Sequence, residues 1–244
     1  MSTVLGLFSG LFDDAALFPP VDAPMTAAVP AHRALREDFG ELVGPFIVPA
    51  TRLDELASCL GDGPPFGISL IAAPGTLPAA AARVAADPRL ALKAVKIPVV
   101  ADAAAARAAV QVLDGALPEG VWAAIEVPRT PSRAAVLDVL VGTGYRAKLA
   151  LRHTAADTGF EHHGFLNVLL AADALARGAS PGAAAECLAQ RDGVTVAGQL
   201  RSWSPERAER ARALFTSFGT CSLLEPVEDL VALGLLPTME RMSS

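Results

Sequence analysis

The sequence is poor in aromatic residues, lysine and cysteine. Aromatic residues make up 5% of the chain although 52% of it is hydrophobic, so alanine, valine and leucine must fill the core in place of rings. The three cysteines are widely spaced and include no CxxC pair. This spacing argues against a disulfide framework and against a cysteine-bound zinc, and it favours a reducing compartment. We therefore expect a cytoplasmic protein.

Long apolar runs and basic patches are also absent. Charged residues or prolines interrupt every apolar run well before the roughly 20 residues that a membrane helix needs. The net charge is −6, and the arginines are scattered along the chain. Nucleic acids and anionic membranes bind basic surfaces, so we expect neither as a partner. A small-molecule substrate is expected, and the sequence leaves homo-oligomerisation open.

What the chain does contain is a regular alternation of short apolar segments and alanine-rich helical segments. Strands are predicted at residues 15–18, 45–48, 66–72, 92–100, 121–127, 145–152, 194–200 and 221–224. Helices are predicted at residues 25–39, 52–60, 78–86, 103–113, 131–141, 164–177, 181–190, 205–218 and 227–233. Helix N-caps are predicted at Ser180 and Ser204, and C-terminal glycines at Gly178, Gly219 and Gly234.

About eight strands that alternate with helices predict an α/β fold with a parallel sheet. The chain of 244 residues has the usual size of a (β/α)8 barrel of the TIM type, and we expect one such domain over residues 1–244. Segments 121–127 and 145–152 alternate between an apolar face and a face that can be polar, which favours the barrel. An open doubly wound parallel sheet is the alternative.

All three lysines lie inside predicted strands, although lysine normally lies on solvated surfaces. Strand parity predicts that Lys96, Glu126 and Lys148 face the barrel interior from three consecutive strands, about 4.8 Å apart. A lysine in such a pocket can form a Schiff base with a carbonyl substrate. Mutual neutralisation of the three charges is the competing interpretation. Lys93 has the opposite parity and is expected to face outward.

This layout resembles class I aldolases of the barrel type, which carry a reactive lysine on a central strand with a carboxylate nearby. The resemblance implies Lys148 or Lys96 as the nucleophile. The Lys-Thr-Ser-Thr-Gly motif of deoxyribose-phosphate aldolases is absent, because leucine and alanine follow Lys148. The candidate substrate-binding residues are Arg146, Arg152, Ser69 and Asn167.

Residues 153–163 hold three of the four histidines and follow the sixth predicted strand, where barrel enzymes gather catalytic groups. His162 or His163 could act as a general base, or bind an anion at the start of the next helix. We expect no cofactor; the alternative is a divalent metal on His153, Asp157 and His163, although their spacing fits no standard motif. A polar loop that caps the helix is a third interpretation.

Four segments resemble an uncharacterised group of proteins from high-GC bacteria of the actinobacterial type: LFDDAALFPP, GPFIVPATRLDEL, GFEHHGFLNVLLAA and FTSFGTCSLLEPVEDLVALGLL. In that group, more residues and a further lysine-bearing strand separate the counterparts of YRAKL and GFEHHGFLN. The resemblance implies that the barrel is incomplete or irregular around residues 148–163. It implies no activity.

Three functions are compatible with these observations. The charged interior favours a barrel enzyme of the lyase or aldolase type that acts on a small carbonyl or carboxylate metabolite. The histidine loop could instead support a metal-assisted hydrolase or isomerase. The third hypothesis is a noncatalytic barrel remnant that serves as a binding or assembly partner in a biosynthetic pathway. Asp13 and Asp14, placed just before the first predicted strand, are interpreted as turn residues or as a cation-binding pair.

Overall fold

The protein is an α/β barrel, and its computed structural model describes residues 3–97, 102–113, 122–126, 133–141, 146–150 and 164–238. Within these residues, parallel strands pair in chain order and the last strand pairs with the first, so the sheet closes. The strands are β1 (Phe12–Asp14), β2 (Val43–Pro49), β3 (Phe66–Ile71), β4 (Leu90–Ile97), β5 (Trp122–Glu126), β6 (Arg146–Ala150) and β7 (Phe215–Thr220).

The α-helices of the described residues flank this barrel. They are α1 (Thr3–Phe8), α2 (Met25–Phe39), α3 (Leu53–Cys59), α4 (Leu77–Ala86), α5 (Ala103–Leu113), α6 (Arg133–Leu140), α7 (Phe165–Ala176), α8 (Pro181–Ala189), α9 (Gly193–Arg201), α10 (Pro205–Leu214) and α11 (Leu224–Ala232). None of these helices combines the length and the apolar character that a membrane span requires.

The barrel class is thus confirmed, but the prediction of eight strands is wrong for the described residues, where seven strands close the sheet. The difference arises between β6 and β7. In that interval the described chain forms α7, α8, α9 and α10, and no strand. Residues 151–163, where the irregularity was expected, lie outside the described residues.

Residues 194–200 form a helix and not the predicted strand. The Asp192 carboxylate accepts a hydrogen bond from the Val194 amide at 3.1 Å, and this N-cap begins α9. Val196, Ala197 and Leu200 are then buried together on one side of the helix. Alternating valines suggested a strand, but the cap and the helical spacing of the buried residues determine the structure.

The first and last strands begin earlier than predicted. Residues 215–218 end the predicted helix 205–218 but form most of β7, whose six residues are all buried. Gly219 therefore lies in a strand and caps no helix, whereas Gly178 and Gly234 have the positive φ angles of C-terminal caps, 84° and 64°. The predicted strand 221–224 follows β7, and the predicted strand 15–18 follows β1, so Asp13 and Asp14 are strand residues.

The outward faces of the strands form one hydrophobic core with the helices. Phe12 of β1 meets Phe218 of β7 edge to face at 4.9 Å between ring centroids, and Phe165 of α7 stacks on Phe218 at 4.6 Å. Residues 165–175 of α7 are all buried, which makes α7 the central helix of this layer. These contacts between phenylalanine rings stabilise the pairing of β1 with β7, where the barrel closes.

The inward positions of the strands include small and polar residues beside the aliphatic Ile47. Ile47, Ala94 and Ala124 are buried but lie outside the core cluster formed with the helices. Ser69, fully buried, is in register with Ile47 on β2 and with Ala94 on β4. Aliphatic side chains usually fill the interior of a barrel, so small residues here leave space for polar groups.

Candidate functional site

Lys96 lies near the carboxyl end of β4, on the same face of the strand as Ala94. Its backbone is in register with Ile71 on β3 and with Ala124 on β5. The residue is only 5% exposed, which is rare for lysine. The predicted position of this amine inside the barrel therefore agrees with its register and its burial.

Glu126 and Lys148 are directly opposite each other on β5 and β6. Glu126 lies two residues beyond Ala124, the register partner of Lys96. Neighbouring strands are about 4.8 Å apart, so the three predicted residues occupy adjacent positions of the sheet. The sequence prediction of a lysine and glutamate set on consecutive strands agrees with this register.

Asp13 adds a carboxylate to the same sheet. It is completely buried, and its Oδ2 accepts a hydrogen bond from the Ser217 hydroxyl at 3.1 Å. Ser217 is in turn the register partner of Lys148. A Cβ atom on Gly44 would collide with the Asp13 carboxylate, so glycine at this position makes room for it. The interpretation of Asp13 as a turn residue is wrong, since it is a buried residue of β1.

Asn167 is committed to a structural contact. Its side-chain amide donates to the carbonyl oxygens of Cys187 at 3.0 Å and Gln190 at 2.7 Å, and so joins α7 to the end of α8. Both amide hydrogens are used in this way. These bonds do not use the side-chain oxygen Oδ1, so the predicted substrate contact stays a prediction.

The remaining predicted residues divide into two groups. Arg146 begins β6, and its backbone pairs with Ala124. Arg152, His153, Asp157, His162 and His163 lie outside the described residues, so their roles as base, anion ligand or metal ligand stay predictions. Among the described residues, no three His, Cys, Asp or Glu side chains gather as metal ligands.

His32 and Asp14 form a buried pair that sequence reasoning missed. The His32 Nδ1 lies 3.0 Å from Asp14 Oδ2, and the two residues are 1% and 7% exposed. An ionised carboxylate only accepts hydrogen bonds, so Nδ1 carries the proton and donates it. Asp14 Oδ1 accepts from the Ala16 amide at 2.9 Å, which fixes the carboxylate.

A pattern in the sequence could have identified His32. Met25, Ala28, Val29 and His32 follow the i, i+3, i+4, i+7 spacing of one helix face, and all four are buried. A histidine on an apolar stripe needs a polar partner, and the paired aspartates of β1 supply one. Phe46 and Phe66 enclose the imidazole, with ring centroids 5.4 and 5.1 Å from it.

The thiols of Cys187 and Cys221 have raised pKa values. Burial raises the pKa of the Cys187 thiol, and it raises that of Cys221 as well, where the Glu225 and Asp14 charges add to the effect. A higher pKa leaves less thiolate at neutral pH. A raised pKa therefore disfavours either thiol as a nucleophile.

Comparison with known proteins yields no relative. No family model matches the chain, and no curated protein or solved structure matches it. The resemblances to class I aldolases and to a group from high-GC bacteria gain no support from these comparisons.

Proposed function

We propose that the protein is a barrel enzyme of the lyase or aldolase type, acting on a small carbonyl or carboxylate metabolite through a Schiff-base lysine. The observation that supports this proposal is the burial of Lys96, which is 5% exposed among the inward positions of the barrel. Keeping an amine inside a protein is energetically costly, and it is most easily explained by a use for that amine.

Lys96 is the preferred nucleophile of the two candidate lysines. The Lys96 amine would attack the substrate carbonyl carbon, forming a C–N bond and releasing water to give an imine. The protonated imine would then take up the electrons of the Cα–Cβ bond as that bond breaks, which leaves an enamine on Lys96 and releases an aldehyde. Glu126, on the adjacent strand, is suited to accept the proton of the hydroxyl that becomes the aldehyde and to return it to the enamine carbon. Water then adds to the imine, which releases the second product and the free amine. Arg146 on β6 would form an ion pair with a substrate carboxylate.

Borohydride trapping tests the proposal. The protein is incubated with a panel of small aldehydes and 2-keto acids, reduced with borohydride, digested and mapped by mass spectrometry. We expect a reduced adduct on Lys96, abolished in Lys96→Arg and retained in Lys148→Arg. Arg107→Gln, on the exposed side of α5, is the control and should label like the wild type.

Labelling of Lys96 in the chain unfolded in urea provides the reference for nonspecific labelling. Labelling of Lys96 in the native protein no greater than in the unfolded chain would refute the proposal. An adduct on Lys148 alone would refute the assignment of Lys96. Circular dichroism of each variant confirms that it is folded.

A further inference from the structure

A groove opens at the amino-terminal end of the barrel strands, the end opposite to Lys96 on β4. Its volume is about 670 Å³, within the range of small-molecule sites. Val43 and Gly44 at the start of β2 line it, as do Phe66 and Gly67 at the start of β3. The groove is therefore separate from the proposed lysine site.

Three irregularities in strand pairing coincide with this groove. The register shifts of the sheet leave extra residues on β2, β4 and β7, within 44–45, at Lys93 and at Thr216. Pro45, Lys93 and Thr216 all line the groove. β-Bulges redirect side chains and are over-represented at barrel rims and beside active sites. Three bulges beside one groove indicate that the strand pairing determines the shape of this groove.

The groove is rich in positive charge. Arg33, Arg36, Lys93 and Arg212 line it, against Glu37 as the one acidic lining residue among those described. Lys93 is exposed and has no hydrogen bond or ion pair with any described residue. The guanidinium of Arg33 lies over the Phe66 ring, 5.3 Å from its centroid.

Two of the arginines are held in place by the backbone. Arg36 donates to the Val43 carbonyl at 3.0 Å, and Arg212 donates to the carbonyls of Leu7 and Ser9 at 2.8 and 3.0 Å. A guanidinium carries five N–H groups, so the single backbone bond of Arg36 leaves it further donors. Fixed guanidinium groups are suited to the oxygens of a phosphate.

Two buried polar atoms in the groove wall have no hydrogen-bond partner within the described part of the chain. They are His32 Nε2 and Thr216 Oγ1, and the two residues are 1% and 7% exposed. The contact between Nδ1 of His32 and Asp14 occupies one ring nitrogen and leaves Nε2 for a ligand. Unpartnered buried polar groups cost free energy, and a ligand hydroxyl could satisfy both atoms.

We propose that this groove binds a phosphate monoester of a small hydroxylated molecule. The phosphate contacts the Arg33, Arg36, Lys93 and Arg212 cluster. The hydroxyl groups bind His32 Nε2 and Thr216 Oγ1, since a hydroxyl can donate or accept a hydrogen bond. The volume exceeds that of a phosphate ion alone, which leaves room for the organic part of the ligand.

Titration calorimetry of the intact protein tests this site, with ribose 5-phosphate and glycerol 3-phosphate as the ester probes and ribose, inorganic phosphate and citrate as comparisons. We expect an ester to bind more tightly than all three comparisons, and its binding to weaken as salt increases. Arg33→Gln and Lys93→Gln should each weaken it about tenfold through loss of a charge-assisted contact. Arg107→Gln on α5 removes an exposed charge elsewhere and should bind like the wild type.

Absence of binding by both esters would overturn the proposal. If inorganic phosphate binds as tightly as the esters, the proposal that the ligand carries a hydroxylated organic part is overturned. If citrate binds more tightly than the esters, the proposal that the groove recognises a phosphate is overturned. Affinity unchanged in both Arg33→Gln and Lys93→Gln would overturn the location. These readouts do not involve Lys96, so the lyase proposal is tested separately.

Discussion

At the scale of residues, buried polar side chains distinguish this barrel from one filled with branched aliphatic residues. Asp13, Ser69, Lys96 and Ser217 are all nearly or fully buried. Such groups need hydrogen-bond or charge partners, and Ser217 supplies one to Asp13. Asp13 and Ser217 therefore depend on each other, and Gly44 provides the space that the Asp13 carboxylate requires.

The raised thiol pKa values predict a pH dependence at the same scale. Only the thiolate is alkylated, so burial should shift the pH midpoint of alkylation upward for Cys187 and Cys221. We expect both midpoints to lie above the value of about 8.5 for a free thiol. Iodoacetamide labelling from pH 7 to 10, followed by mass spectrometry, measures them, and the chain unfolded in urea is the reference. A native midpoint below that of the unfolded chain would contradict the assignment.

At the scale of elements, α7 organises the helices between β6 and β7. Its Asp173 is 1% exposed and accepts two hydrogen bonds from Arg207 of α10, at 3.0 and 2.7 Å. Arg177, one turn further along α7, also contacts this carboxylate. Arg207 in turn lies over the Trp203 ring at 4.8 Å. The Asp173 carboxylate thus joins α7 to α10.

Removal of this carboxylate should destabilise the fold measurably. Asp173→Ala loses several charge-assisted hydrogen bonds and leaves the part-buried Arg207 guanidinium without its acceptor. We expect a loss of about 2 to 4 kcal/mol in the free energy of unfolding, measured by urea titration. Glu209→Ala, on the exposed side of α10, is the matched control and should change stability by less than about 0.5 kcal/mol. Equal effects of the two substitutions would contradict the role given to Asp173.

A helix or strand is predicted correctly where residues close in the chain determine it. Ser180 and Ser204 cap α8 and α10 as predicted, because a cap depends on neighbouring residues alone. Residues 194–200 and 215–218 were assigned the wrong type. Valine, threonine and phenylalanine are compatible with either type, and contacts with distant elements decide between them.

At the scale of the whole molecule, closure of the barrel depends on β1 and β7. The Phe218 amide donates to the Leu11 carbonyl at 2.9 Å, and the Ala15 amide donates to Thr220 at 2.8 Å. Arg212 ties the segment before β1 to α10 through two backbone carbonyls. Closure removes the sheet edges that an open sheet would expose.

Hydrogen exchange can test this closure. If β1 and β7 are paired, amides in Phe12–Asp14 and Phe215–Thr220 should exchange as slowly as those of β3, which has a strand on each side. Mass spectrometry of peptides from these segments gives the comparison, and α11 at the surface serves as the less protected reference. Fast exchange in β1 and β7 with slow exchange in β3 would indicate an open sheet.

The candidate site was only partly accessible to sequence reasoning. Lys96, Glu126 and Lys148 were grouped by strand parity, which is a local property and agrees with the register of β4, β5 and β6. The His32 and Asp14 pair was missed because 18 residues separate its members, and one of them was assigned to a turn. The groove at the amino-terminal end was missed because its bulges have no sequence signal of their own.

The sequence by itself determined the alternation of strands and helices, the barrel class, most helix boundaries and the strands that carry the lysines. These follow from periodicity, caps and side-chain parity, which act over a few residues. Only the tertiary structure decided that seven strands close the barrel, that α7 is buried on nearly every side and that Asp14 meets His32. Each of these depends on contacts between residues distant in the chain, where packing and hydrogen bonding outweigh local preference.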